Sequence, residues 1–254
     1  MMSQKLRQEQ ILHILQERGY VTVRYLTQAL HYSSATINRD LNAMQTLGLV
    51  KRTYGGVEAL DRNHFFPLPQ RQLYMKKEKR RNAHAAAELI RNGDTVFLDG
   101  STSVQYIAPF LAEKRDLRVI TNNLRLAIEL GEYDVDVICL GGALEERPHI
   151  VGGDDAVEQV LHYRADKMFF SIGYVTADGN VSKGSLLHRV MRKNAREVYL
   201  LTNKSKLVEH LDEIFCDFSA LTGVISDFEF PEETKKAFPD TEFICVSEKE
   251  KSIP

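Results

Sequence analysis

Thr36–Leu41 reads TINRDL, an amide, a cation and a carboxylate set among large apolar residues in a chain whose net charge is −2. Ile37, Leu41 and Met44 stand at i, i+4 and i+7, so in a helix they share one buried stripe while Asn38, Asn42 and Gln45 share another, outward one. The outward row is polar and barely charged. Side-chain amides donate and accept together, which is the pattern adenine shows in the DNA major groove, so the row suits base edges. A solvated face is the competing reading, and the flanking sequence decides between them.

Upstream, Leu6, Ile11, Leu12, Ile14 and Leu15 keep helical spacing up to a stop at Gly19. Thr22 is placed to cap a second helix through Leu30, with Val23, Leu26 and Leu30 inward. HYSS then makes a short polar turn, and Ser33 or Ser34 is the N-cap of a third helix reaching about Leu47. Two short helices across a tight turn form a helix-turn-helix, whose second helix enters the groove by its N-terminal half, here ATINRD. After Gly48, LVKRTYGGVEAL carries Lys51, Arg52 and Tyr54 ahead of a Gly-Gly turn, as a basic hairpin wing would. Base or phosphate contacts are expected from Ser33, Ser34, Thr36, Asn38 and Asn42, and contacts to the DNA backbone from Arg52 and Tyr54. Arg39 has two roles open: DNA contact, or bracing the helix by an ion pair beside Asp40. A winged-helix protein-interaction module is the alternative for the whole segment.

Charge supports the DNA reading. Residues 1–82 carry 14 Lys and Arg against 6 Asp and Glu, hence +8, and the remainder carries −10. A basic front suits a polyanion, since each neutralised phosphate releases condensed counterion, and an acidic rear would be repelled by it. The 254 residues, 43% hydrophobic and 27% charged, are enough for one large domain or a small and a medium one with real cores. Cys139, Cys216 and Cys245 form no CxxC pair and read as reduced, buried thiols, with neither a disulfide frame nor a zinc site. No apolar run reaches the ~18 residues a membrane span needs, and MMSQKLRQEQ has no signal-peptide core, so a cytoplasmic protein is expected.

DRNHFFPLPQRQLYMKKEKRR brings two prolines and then five cations in six residues, which marks a domain boundary near residues 60–72. The expected organisation is a DNA-binding domain over 1–60, a linker over 61–81 and a larger domain over 82–254. The basic run is either a solvated helix start or an extra clamp on DNA phosphate. Beyond it, DTVFLDG, LRVITNN, VDVICLGG, ADKMFFSIG, EVYLLTN, ALTGVISD and EFICVS are short apolar runs, interleaved with helical patterns such as VQYIAPFLAEK, LRLAIELG and DAVEQVLHY. That alternation predicts an α/β fold with a mainly parallel sheet covered on both faces, in which ligands bind beyond the strand C-termini. Asp99, Gly100, Ser101, Thr102 and Ser103 stand at one such tip opening a helix, where free N–H groups favour phosphate. Thr121, Asn122 and Asn123, then Gly141 and Gly142, repeat the arrangement. Lys206 in NKSK is a candidate for a phosphate or sugar oxygen at the same rim.

The N-terminal segment resembles the DNA-binding domain of DeoR-family bacterial regulators. Its matching features are Arg7, Ser33 and Ser34, the Thr36–Leu41 core, and a wing of Arg52, Gly55 and Gly56 with Lys51 beside it. Asn38 stands where the family usually has arginine, which implies a different operator or one held with one fewer cation. The rear domain resembles the family's effector domain, a relative of ribose-5-phosphate isomerase and of the sugar-phosphate isomerase fold. Its matches are Asp99–Ser103, Thr121–Asn123, Gly141–Gly142, Gly152 and Ser205–Lys206. Asn203 replaces the aspartate expected before Ser-Lys, and Ile172 stands where an acidic or amide residue often precedes the glycine. The resemblance implies a repressor of a sugar-catabolic operon that binds double-stranded operator DNA and a phosphorylated sugar or related metabolite. A homodimer or higher homo-oligomer is expected, because winged helices of this size gain affinity by reading repeated half-sites, and no metal or cofactor is expected. The alternative is a sugar-phosphate isomerase-like enzyme with an accessory nucleic-acid-binding domain. That enzyme would need a carboxylate base, for which Asp99, Glu145 and Asp178 are the only candidates the sequence offers. His149 and His188 lie near the inferred rim, but a lone histidine is more often surface or core than a ligand.

Overall fold

The computed structural model describes residues 4–46, 49–53, 55–59, 71–72, 74–145, 149–182 and 184–246, and the chain divides into two compact units, Met1–Tyr74 and Met75–Pro254. In the first unit, helix α1 (Gln4–Arg18) ends where Gly19 turns to φ +70° and returns its N–H to the Leu15 carbonyl at 2.8 Å. Strand β1 (Tyr20–Thr22) follows, and Thr22 caps α2 (Val23–Leu30), its hydroxyl accepting from Tyr25 N at 3.1 Å. Of the two candidate serines, Ser33 is the cap: its Oγ accepts from Thr36 N at 3.2 Å and opens α3 (Ser34–Thr46). Ile37, Leu41 and Met44 are fully buried on Ile11, Leu15 and Leu26, while Val23 and Leu30 pack half-buried at the margin.

The wing is β2 (Val50–Thr53) antiparallel to β3 (Gly56–Ala59), with Gly55 at φ +83° in the turn. The short strand β1 joins them in the order β1-β3-β2. At three residues it is too short to show an alternating pattern in the sequence. Leu47, Gly48, Tyr54, residues 60–70 and the side chain of Leu6 lie outside the described residues.

The second unit begins earlier than the sequence suggested. Helix α4 (Lys76–Leu89) buries Lys79, Asn82, Ala83, Ala86 and Ala87, so residues 76–81 belong to a packed helix rather than to a linker. The strands that follow are β4 (Thr95–Leu98), β5 (Arg118–Thr121), β6 (Asp136–Cys139), β7 (Ala143–Leu144), β8 (Val151–Gly152), β9 (Ala165–Phe170), β10 (Val175–Thr176) and β11 (Asn180–Ser182). The series ends with β12 (Ala195–Leu201), β13 (Leu207–Val208), β14 (Ile214–Asp217), β15 (Gly223–Ser226) and β16 (Glu242–Cys245). The remaining helices are α5 (Thr102–Gln105), α6 (Leu124–Gly131), α7 (Asp154–Leu161), α8 (Leu186–Lys193) and α9 (Glu232–Ala237).

The seven apolar runs form one seven-stranded parallel sheet, ordered β16-β15-β12-β9-β4-β5-β6. Alternate residues feed two cores, because side chains along a strand point to opposite faces. Val96, Leu98, Phe169, Tyr199 and Ile225 meet Ala83, Ala87 and Leu126 on one face; Phe97, Met168, Phe170, Leu200 and Val224 meet Val160, Leu187 and Met191 on the other. The result is a three-layer α/β/α unit. A small four-stranded sheet, β13-β10-β11-β14, and the β7–β8 hairpin are additions that the sequence reading did not contain.

Two further expectations are corrected. VQYIAPFLAEK is not one helix: α5 stops at Gln105 and only a 3-10 turn, Ala108–Phe110, follows, because Pro109 has no N–H to continue the ladder. None of the three thiols is fully buried: Cys139 is exposed, and Cys216 and Cys245 are half-buried. Cys139 and Cys245 sit on β6 and β16, the two edges of the large sheet, where cover is thinnest.

Candidate functional site

The recognition helix is fixed from behind by charge. Arg7 grips Asp40, which is 1% exposed, through Nε to Oδ2 and through Nη2 to Oδ1 at 3.1 Å, and its guanidinium lies 4.8 Å over the Tyr32 ring. The hydrogen bond from Asp40, more than its charge, pushes Arg7 above its ordinary pKa despite burial. This settles the partner of Asp40. It is Arg7 rather than its neighbour Arg39, whose side chain is exposed on the outward side with Ser34 and Asn42. Asn38 is half-buried: its Nδ2 donates to the Ser34 carbonyl at 2.8 Å. Arg52 reaches from β2 to both amides, Nη1 to Asn42 Oδ1 at 2.6 Å and Nη2 to Asn38 Oδ1 at 2.5 Å. Thr36 and Ser33 share a hydroxyl contact of 3.0 Å at the helix start. Lys51 pairs with Glu58 across the wing at 3.3 Å. Gly56 is buried under Tyr20, whose hydroxyl would lie 2.2 Å from an added Cβ, so this glycine seats the wing on β1.

In the second unit the chain order reverses between β4 and β9, which are hydrogen-bonded neighbours, so the crevice at their C-terminal ends is the topological switch point. Asp99, 2% exposed, stands at the tip of β4. Its Oδ1 accepts from Ser101 N at 3.0 Å and its Oδ2 from Ser171 N, at the tip of β9, at 3.1 Å. His188 Nε2 lies 3.2 Å from the same Oδ2. Because Ser185 N donates to His188 Nδ1 at 3.2 Å, that nitrogen is the acceptor and Nε2 carries the proton toward Asp99. Lys206 Nζ donates to Ser171 Oγ at 2.5 Å and to the Ile172 carbonyl at 2.8 Å. From α4, Lys79, 5% exposed, donates to Thr102 Oγ1 at 3.1 Å, and Asn82 to the Thr202 carbonyl at 2.6 Å.

The expected residues divide by what they do. Ser101 caps α5, accepting from Val104 N at 3.2 Å, and Asn123 caps α6, accepting from Arg125 N at 3.1 Å and Leu126 N at 3.3 Å. Thr121 accepts from Asn123 N at 3.1 Å, so it holds the turn that presents its neighbours. Gly141 N donates to Gln159 Oε1 at 3.0 Å, and Gly142, at φ +131°, leaves only 2.4 Å between an added Cβ and the Gly152 carbonyl. That glycine pair lets the β7–β8 hairpin close against Asn122, which donates to the Val151 carbonyl at 2.9 Å. Asp99, Gly100, Thr102 and Ser103 follow the tip of β4, Asn122 follows the tip of β5, and Lys206 reaches the tip of β9 through Ser171 and Ile172. Buried Asn122 Oδ1, Asn82 Oδ1 and Thr202 Oγ1 have no hydrogen-bond partner among the described residues. Buried polar atoms in that state are costly and mark a place where a ligand or water completes the bonding.

Lys79, Asn82, Ser171 and Thr202 were not foreseen near this crevice, and His188 was placed near the rim but set aside as more often surface or core. A signal existed for the first two: Lys79, Asn82, Ala83, Ala86 and Ala87 keep helical spacing, which makes Lys79 part of a buried stripe inside a run read only as charge. Neither departure from the family pattern opens the site. Asn203 Oδ1 accepts from Ser205 N at 3.1 Å and Ser205 Oγ at 2.6 Å, so an amide oxygen caps the Lys204–Lys206 turn without a carboxylate, and Ile172 is buried in the core and offers its carbonyl to Lys206. The carboxylates weighed as bases are separated: Asp99 is held as above, Glu145 lies over Gly152, and Asp178 takes the Thr176 hydroxyl in the turn between β10 and β11, chiefly for which its pKa is lowered.

A winged helix-turn-helix carried in one chain with a parallel-sheet unit, whose polar residues gather at the switch point, defines a DNA-binding regulator with a sensor domain. The family described as "DeoR-like helix-turn-helix domain" matches residues 7–63, and that described as "DeoR C terminal sensor domain" matches residues 75–228. The chain belongs to the DeoR family. It is 29% identical over 245 residues to the glycerol-3-phosphate regulon repressor of Escherichia coli (strain K12), covering 94% of this chain and 97% of that one. It is 31% identical over 215 residues to the lactose phosphotransferase system repressor of Lactococcus lactis subsp. lactis, covering 81% and 84%. Among solved structures, ribose 5-phosphate isomerase A of Methanocaldococcus jannaschii aligns over 53% of this chain and 56% of that one, at 17% identity and a TM-score of 0.41.

Proposed function

We propose that this chain represses a sugar-catabolic operon by binding its operator as a homodimer or higher homo-oligomer in the cytoplasm, and that a phosphorylated sugar or related metabolite at the switch point changes that binding. The observation that carries the reading is the pairing of two ammonium groups with hydroxyls on adjacent strand tips, Lys79 on Thr102 and Lys206 on Ser171, around the buried Asp99 carboxylate. Ammonium groups suit phosphate oxygens, while Asp99 and the partnerless Asn122 Oδ1 suit the hydroxyls of a polyol. Two relatives are named for a regulon of a phosphorylated triol and for a sugar phosphotransferase system, which agrees with this chemistry.

An effector shifts operator affinity only by as much as it binds one arrangement of the protein better than the other. Linked recognition helices read repeated half-sites, which is why an oligomer fits the design. The test is a band shift of the full-length chain on an operator selected from random duplex, titrated with triose, pentose and hexose phosphates against the free sugars and inorganic phosphate. One phosphorylated sugar changes the operator affinity at least about five-fold, on the scale of typical couplings, and its free sugar does not. No response to any phosphorylated compound contradicts the reading.

A further inference from the structure

An asparagine reads adenine with both ends of its amide at once, the oxygen accepting and the nitrogen donating. In Asn38 each end already holds a partner inside the domain, the nitrogen the Ser34 carbonyl at 2.8 Å and the oxygen Arg52 at 2.5 Å. Asn42 Oδ1 likewise takes Arg52 at 2.6 Å. What these two amides present on the outward side of α3 is a guanidinium brought over from the wing. We infer that Arg52 is the base-reading side chain of the operator interface, taking the O6/N7 edge of a guanine, and that Asn38 and Asn42 are positioning residues that deliver it.

The partners' chemistry supports this role. Amides hold a guanidinium without neutralising it, so Arg52 keeps its full charge for DNA, whereas Lys51 shares its charge with Glu58 at 3.3 Å. Among the described residues, two of the five guanidinium N–H donors take the amides, which leaves donors of the fork for a base edge. A long side chain already held in place gives up less conformational freedom on binding, and the planar fork matches guanine in two bonds, the commonest specific contact in the major groove.

The inference rests on the DNA-binding reading, and the experiment separates the two. The full-length wild type, Arg52→Lys, Asn38→Ala, Asn42→Ala and the Asn38→Ala/Arg52→Lys double variant each select from a randomised duplex library, with thermal unfolding compared to confirm the fold. The wild type enriches a half-site with a fixed guanine. Arg52→Lys keeps the charge but lowers that guanine preference about ten- to hundred-fold. Asn38→Ala and Asn42→Ala weaken preference at the same position, and Asn38→Ala adds nothing in the Arg52→Lys background, as coupled residues require. An unchanged motif in Arg52→Lys makes Arg52 a phosphate clamp and overturns the inference. So does a change at a different base pair in Asn38→Ala that persists in the double variant. A wild type that enriches no motif removes the DNA-binding reading itself, and this inference with it.

Discussion

Arg7 and Asp40 show how one ion pair sets the angle of a reading head. Asp40 is 1% exposed and Arg7 12%, and the pair joins α1 to the middle of α3. Removing one partner of a buried pair leaves the other charge stranded, at about 3–5 kcal/mol when both are fully enclosed; the partial exposure of Arg7 lowers this. Asp40→Asn therefore destabilises the first unit by about 2–3 kcal/mol, read by hydrogen exchange at the Ile37 and Leu41 amides during urea titration of the full chain. Loss below about 0.5 kcal/mol would show that packing alone holds α3. The thiols give a second test at this scale. Burial pushes Cys216 up to about 11, so at pH 7.5 almost none of it is thiolate. It reacts with a disulfide reagent far more slowly than free cysteine, and the rate climbs as pH approaches 11. Fast reaction at neutral pH would contradict the burial.

Among the elements, α4 links the sensor to the chain that leads to the DNA-binding unit. It begins at Lys76, beyond the proline-rich stretch, and within its first two turns inserts Lys79 onto Thr102 and Asn82 onto Thr202. A ligand that takes over either bond acts directly on the helix. Lys79→Met, which keeps the buried stem and removes the ammonium, leaves ligand-free operator binding within about two-fold and reduces the metabolite response at least about ten-fold, measured by band shift. An intact response would make Lys79 a purely structural lysine. The elements that were legible in the sequence are those with a strong period. All seven strands of the large sheet stand out as apolar runs because both faces are covered, and Ile37, Leu41 and Met44 announce α3. Elements of two or three residues, β1, β7 and β10, carry too few positions for any period. At the strand tips the sequence shows which polar residues are present but not their division of labour. Serine, threonine and asparagine at a strand tip look the same whether they bind a ligand or cap a helix, and only the geometry assigns Ser101 and Asn123 to caps.

At the scale of the whole molecule, charge separates the two units: Met1–Tyr74 carries 9 Lys and Arg against 5 Asp and Glu, hence +4, and Met75–Pro254 carries 24 against 30, hence −6. The basic unit adds affinity for any duplex through counterion release, and the acidic unit restricts that affinity to the recognition surface. The proposed effector site is the switch-point cluster, where a parallel sheet of this kind takes its ligands. The most direct measurement is operator affinity of the full-length chain against salt, with and without the phosphorylated sugar found by the panel. The account predicts a specific duplex bound with log K falling linearly in log salt, and a shift of at least about five-fold on adding that sugar phosphate, abolished by Lys206→Met. Binding without sequence preference, or an affinity that no phosphorylated metabolite moves, would contradict it.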